Sequence, residues 1–83
     1  MVDHAQVEQG VLAILGEFVD DAGAVASDDR LRDLGIDSLD LTEIVSRIDD
    51  DFGLTIPGGE LGRMRTVSDL VDIVSAAVRS RSA

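Results

Sequence analysis

The chain has 83 residues, 45% of them apolar, so it has room for one domain with a thin core. It has no cysteine, which excludes disulfides, cysteine-based zinc sites and thiol catalysis. Seventeen acidic residues against seven basic ones leave a formal net charge of −10, a field that repels nucleic acid and anionic membranes and steers the chain toward basic surfaces.

The expected organisation is a single domain over 1–83, with a core at about 4–78 and a flexible tail at 79–83. Met1-Val2-Asp3-His4 lacks the basic start of a cleavable signal, and no apolar run approaches the roughly 20 residues of a membrane span. A cytoplasmic monomer without membrane insertion is therefore expected. Phe18 and Phe52, the two aromatic residues, cannot form the stacking platforms of a single-strand nucleic-acid binder.

Asp3 and Gln6 make a capping box for a first helix over roughly 4–18, with Val7, Val11, Ile14, Leu15 and Phe18 at helical spacing. Gly10 and Gly16 each weaken it by up to about 1 kcal/mol relative to alanine. From Asp20 to Ile36, turn and cap residues surround the apolar anchors Leu31, Leu34 and Ile36, which predicts a long ordered loop with one helical turn near Asp29 to Asp33.

Helical spacing resumes at Ser38. Leu41, Ile44, Val45, Ile48 and Phe52 form one stripe, and Gly53 is a left-handed cap at the end. The other face holds Leu39, Asp40, Glu43, Ser46 and Asp50. Pro57-Gly58-Gly59 stops any continuation, and residues 60–64 can form a turn or two of poor helix. Thr66 and Asp69 cap a last helix reaching about Val78. The expected fold is all-α: a small four-helix bundle of three main helices and a short third, with a long loop between the first two.

Charge is unevenly spread along these elements. Residues 37–51 carry six acids and one arginine, whereas residues 63–83 carry four arginines and two aspartates. The second helix is thus the acidic one.

Leu34-Gly35-Ile36-Asp37-Ser38-Leu39-Asp40 sets a serine at the opening of this amphipathic helix, directly after a tight turn. Unpaired N–H groups and the positive end of the helix dipole tolerate negative charge there, so a phosphate ester on Ser38 is feasible. Ser38 or Asp37 could equally serve as a plain helix cap. Leu39, apolar on an acidic face, is explained by neither role.

The segment resembles the Asp-Ser-Leu signature of acyl carrier proteins. The likeness continues through Glu43-Ile44-Val45 and Asp49-Asp50-Asp51-Phe52-Gly53 to Ile56-Pro57 and Thr66-Val67. The resemblance implies a stand-alone, non-catalytic carrier in which Ser38 receives 4′-phosphopantetheine from coenzyme A, through a phosphopantetheinyl transferase and magnesium. It implies that Asp37 supports that attachment. It also implies that Leu39, Asp40, Glu43, Asp49 and Asp50 dock basic patches on acyltransferases, ketosynthases and other acyl-processing enzymes. Weak, fast electrostatic docking suits a protein that visits many partners.

Other readings fare worse. A serine hydrolase needs a base beside its nucleophile, and His4, the sole histidine, lies at the start of the first helix. An EF-hand counted from Asp49 puts Gly53 at a ligand position and Leu54 where glycine is required. A small acidic helical interaction module is the non-carrier alternative. A peptidyl or aryl carrier of nonribosomal synthesis is the alternative among carriers, but those typically show a Gly-Gly-His/Asp-Ser motif where this chain has Gly35-Ile36-Asp37-Ser38. Residues 57–65 depart from the acid-rich third helix common in primary fatty-acid carriers, which tips the expectation toward polyketide over fatty acid biosynthesis. Val45, Ile48, Ile56, Leu70 and Val74 are expected to part and admit some of an acyl chain.

Overall fold

Helix α1, His4–Leu15, begins where Asp3 caps it. The Asp3 carboxylate accepts from the Gln6 N–H at 2.9 Å, and the Gln6 side chain accepts from the Asp3 N–H at 3.0 Å. The coordinates are a computed structural model that describes residues 3–19 and 25–82, Ser82 by its backbone alone. The predicted turn signals at 20–23 lie outside the described residues. The helix ends three residues short of the expected Phe18. Glycine at position 16 is a poor helix former, and the chain tightens into shorter bonds there, Glu17 N–H to Ile14 O and Phe18 N–H to Leu15 O.

Val7, Val11, Ile14 and Leu15 form the buried stripe of α1, which packs against both other long helices. Gly10 proves to be more than a weak point in this helix. A Cβ there would sit 2.6 Å from the Phe52 ring, so the missing side chain leaves the seat for that ring.

Helix α2, Ser38–Phe52, contributes Ile44, Val45 and Ile48 to the core and ends at Gly53 with φ +65°. The Gly53 and Leu54 N–H groups both donate to Asp49 O. Arg47 of α2 reaches Glu17 at 2.6 Å; this hydrogen bond holds the Glu17 carboxyl below its ordinary range. Both partners are exposed, so the pair is a weak link between the elements.

Helix α3, Val67–Ser82, starts with the expected reciprocal cap. Asp69 N–H donates to Thr66 Oγ1 at 3.0 Å, and Thr66 N–H donates back to Asp69 at 3.2 Å. It runs past the expected end at about Val78, because residues 79–82 continue the helix. Arg79 and Arg81 in the last turn complement the helix dipole, and Arg81 donates at 2.8 Å to the Phe52 carbonyl at the end of α2.

Two 3₁₀ segments complete the bundle. Leu31–Leu34 is the helical turn expected in the long loop. Gly58–Arg63 is the short third helix, begun by Pro57 and kept from the α form by its glycines. The architecture is the all-α four-helix bundle expected, with no strand among the described residues. An isolated antiparallel bridge between Arg30 and Thr66 does, however, lace the loop to the start of α3. Leu31 N–H donates to Arg65 O at 3.0 Å, Val67 N–H to Asp29 O at 3.0 Å and Ser68 N–H to Ser27 O at 2.7 Å.

Gly35 turns the loop into α2 with φ +83°, a conformation that disfavours any side chain. A Cβ there would meet no atom within 4 Å, so the penalty is purely conformational. Gly35→Ala should therefore lower unfolding stability by about 1–2 kcal/mol in urea titrations. An unchanged midpoint would show that the turn can form another way.

Candidate functional site

Two buried side chains pin the turn before α2. Leu31 and Ile36 sit in the core on either side of Gly35, and Ile36 N–H donates to Leu31 O at 3.1 Å. The next residue, Asp37, has extended backbone and caps the helix. Its carboxylate accepts from Asp40 N–H at 2.8 Å, while Asp37 N–H points to the Asp40 carboxylate at 3.4 Å.

This arrangement decides between the two candidate caps. Asp37 does the capping, and Ser38 is the first residue of the helix, exposed to solvent. Among the described residues its hydroxyl makes no hydrogen bond. Its carbonyl accepts from Thr42 Oγ1 at 2.9 Å. First-turn amides have no acceptor within their own helix, so Ser38 offers a free hydroxyl beside donors suited to an anion.

Leu39 follows at 81% exposure, the large hydrophobic side chain that stands out in solvent among the described residues. Leu39, Glu43, Ser46 and Asp50 recur at i, i+4, i+7 and i+11 and are all exposed, which makes them the outward stripe opposite the core. The other two expected docking acids sit differently. Asp40 is half-buried at the cap, and Asp49 is half-buried with Oδ1 accepting from Ile56 N–H at 3.2 Å. The Asp49 carboxylate thus ties α2 to the segment that follows it.

The expected acyl-lining residues are brought together. Val45, Ile48, Ile56, Leu70 and Val74 all belong to one buried cluster. Ile56 also lines a cleft of about 180 Å³, shared with Pro57, Glu60, Ile73, Ala76, Ala77 and Ser80. A larger cleft, of about 450 Å³, lies between the Leu31–Leu34 turn and the start of α3. Sequence reasoning missed it, because its walls are more than thirty residues apart in the chain. His4 is exposed, with Nδ1 3.1 Å from the buried Ser75 hydroxyl on α3. It makes no hydrogen bond to Ser38.

Comparison with known proteins agrees with this geometry. The family model described as the phosphopantetheine attachment site matches residues 9–74. A crystal structure of an acyl carrier protein from Thermotoga maritima is similar at a TM-score of 0.82 and 28% identity, covering 94% of this chain and 93% of that one. The hexanoyl form of the carrier from the actinorhodin polyketide synthase of Streptomyces coelicolor is similar at 0.72 and 27%, covering 96% and 94%. The 3,7-dioxo-octyl form of the actinorhodin carrier gives 0.71 and 29%, covering 98% and 94%. The chain therefore belongs to the phosphopantetheine attachment-site family, as a non-catalytic acyl carrier protein that bears covalent 4′-phosphopantetheine.

Proposed function

We propose that Ser38 is the attachment residue and that the chain shuttles acyl intermediates among the enzymes of a polyketide pathway. The observation that carries the first part is the division of labour at the start of α2: Asp37 satisfies the cap, leaving the exposed Ser38 hydroxyl unbonded among the described residues. That position fits a phosphodiester, whose charge is favoured by the free first-turn amides. When attached, the arm supplies a terminal thiol that holds acyl groups as thioesters. Asp37 stands one residue from the acceptor hydroxyl, where its charge can help hold magnesium during transfer.

Leu39, Glu43 and Asp50 form the face that meets partners, with Asp40 at its edge. The exposed leucine supplies an apolar anchor and the carboxylates supply steering toward basic patches on the transferase, acyltransferases and ketosynthases. Asp49 contributes charge to this address while its main contact is internal. The polyketide assignment is supported by the similarity to the actinorhodin carriers and by the third helix. That helix is a 3₁₀ segment with one acid, Glu60, already paired with Arg63 at 3.5 Å. The seam of the buried cluster at Val45, Ile48, Ile56, Leu70 and Val74 is where an apolar acyl chain would enter.

Incubation with coenzyme A, magnesium and a broad-specificity phosphopantetheinyl transferase should add one phosphopantetheine mass to the wild type and none to Ser38→Ala. An equal gain on both would remove Ser38 from the role. Asp37→Asn keeps a good cap, so its modification should slow without a change in melting temperature.

Steady-state kinetics with a polyketide-type ketosynthase should give a higher kcat/KM than with a fatty-acid-type one, and the reverse order would overturn the pathway. In the same assay Glu43→Gln, Asp50→Asn and Leu39→Ala should each raise KM, the two charge changes also flattening its salt dependence.

Loading with octanoyl in place of acetyl should raise the melting temperature if the seam admits the chain. Equal melting of the two forms would argue that the core stays closed.

A further inference from the structure

In a chain of net charge −10, three of the seven arginines converge on one cleft. Arg30 and Arg32 line it from the loop and Arg65 from the opposite wall. Leu31, Ile36 and Met64, all buried, form its apolar floor, and Thr66 and Asp69 complete it. The two salt bridges among the described residues join Arg47 to Glu17 and Arg63 to Glu60, so neither engages these three arginines. Asp69 is the one acid in the lining. Its Oδ2 accepts from Arg65 N–H and Thr66 N–H at 3.2 Å each, and among the described residues no salt bridge joins it or any other carboxylate to these guanidinium groups.

The walls are set by the backbone. The bonds from Leu31 N–H to Arg65 O and from Val67 N–H to Asp29 O cross between them, so Arg30–Arg32 face Arg65 before anything binds. A volume of about 450 Å³ is that of a small-molecule pocket. Ile36 in its floor is two residues from Ser38, so their Cα atoms are no more than about 7 Å apart.

We propose that this cleft receives the carboxylate of an acidic acyl group, of the malonyl type, carried on Ser38. The inference rests on the assignment of Ser38 as the attachment residue. Guanidinium forks pair bidentately with a carboxylate, and the apolar floor accommodates the methylene and thioester portion behind it. The phosphodiester is a second anion, but its bond to the Ser38 hydroxyl holds it beside the first-turn amides of α2. A neutral acyl group has no charge for the arginines to meet. The cleft therefore discriminates cargo by charge.

The test is to load the isotopically labelled protein from coenzyme A, acetyl-coenzyme A and malonyl-coenzyme A with the transferase. Mass spectrometry checks each product, and NMR then compares backbone amides and arginine Nε–H signals. The malonyl form should shift residues 30–32 and 64–66 and the arginine side chains beyond the other two forms. Those shifts should disappear in the exposed-site double variant Arg32→Gln/Arg65→Gln, whose melting temperature should match the wild type. Matching shifts in the acetyl form, or in the form loaded from coenzyme A alone, would overturn the proposal, as would malonyl-specific shifts that survive in the double variant. No mass gain from any thioester would overturn the Ser38 assignment and this inference together. Full loading without a malonyl-specific shift would overturn this inference alone.

Discussion

The left-handed turn at Gly35, clamped between the buried Leu31 and Ile36, governs where α2 begins. With Ile36 held in the core, the chain leaves the turn extended at Asp37, the backbone shape an N-cap requires. The Asp37 carboxylate then takes the Asp40 N–H, and the helix starts one residue later with Ser38 outside the cap. A helix beginning one residue later would make Ser38 the cap and engage its hydroxyl. The chemistry of the site thus follows from a packing constraint two residues upstream.

That constraint depends in turn on the loop being held. A thin core offers few apolar contacts to a segment so long, and the loop supplies only scattered anchors. Backbone pairing with the start of α3 supplies the remainder, through Asp29, Leu31 and Ser27 on one side and Arg65, Val67 and Ser68 on the other. These bonds cost no side chain, so Arg30, Arg32 and Arg65 are left to face solvent around the cleft that the pairing creates. The same feature that fixes the serine therefore builds the basic rim.

Charge divides the surface by the same logic. The outward stripe of α2 presents Glu43 and Asp50 around Leu39, while Arg47 in its midst is occupied by Glu17. Other acids of this segment serve the ends of the helix. Asp37 and Asp40 serve the beginning, and Asp49 serves the chain that leaves it by accepting from Ile56 N–H. An acidic helix flanked by a basic cleft gives the protein surfaces of opposite charge.

The elements legible in the sequence are those made by neighbours. The caps Asp3 with Gln6 and Thr66 with Asp69 span three residues, the apolar stripes repeat every three or four, and the glycine ending α2 lies at the end of its stripe. Local hydrogen bonding and helical geometry are enough to specify these, and with them the four-helix class and the exposed serine at a helix start. Contacts between distant residues were not legible: Arg81 on the Phe52 carbonyl, 29 residues away, carries the last helix through the expected tail, and Arg47 finds Glu17 across 30. The Phe52 ring over Gly10, the inward turn of Asp49 and the meeting of Arg30 and Arg32 with Arg65 belong to the same class. The sequence alone determined which segments are helical and that a serine opens the second long helix. Tertiary structure decided that Asp37 and not Ser38 caps, and which carboxylates remain outward. It also decided where a basic cleft forms, because those outcomes depend on side chains that only packing brings within reach.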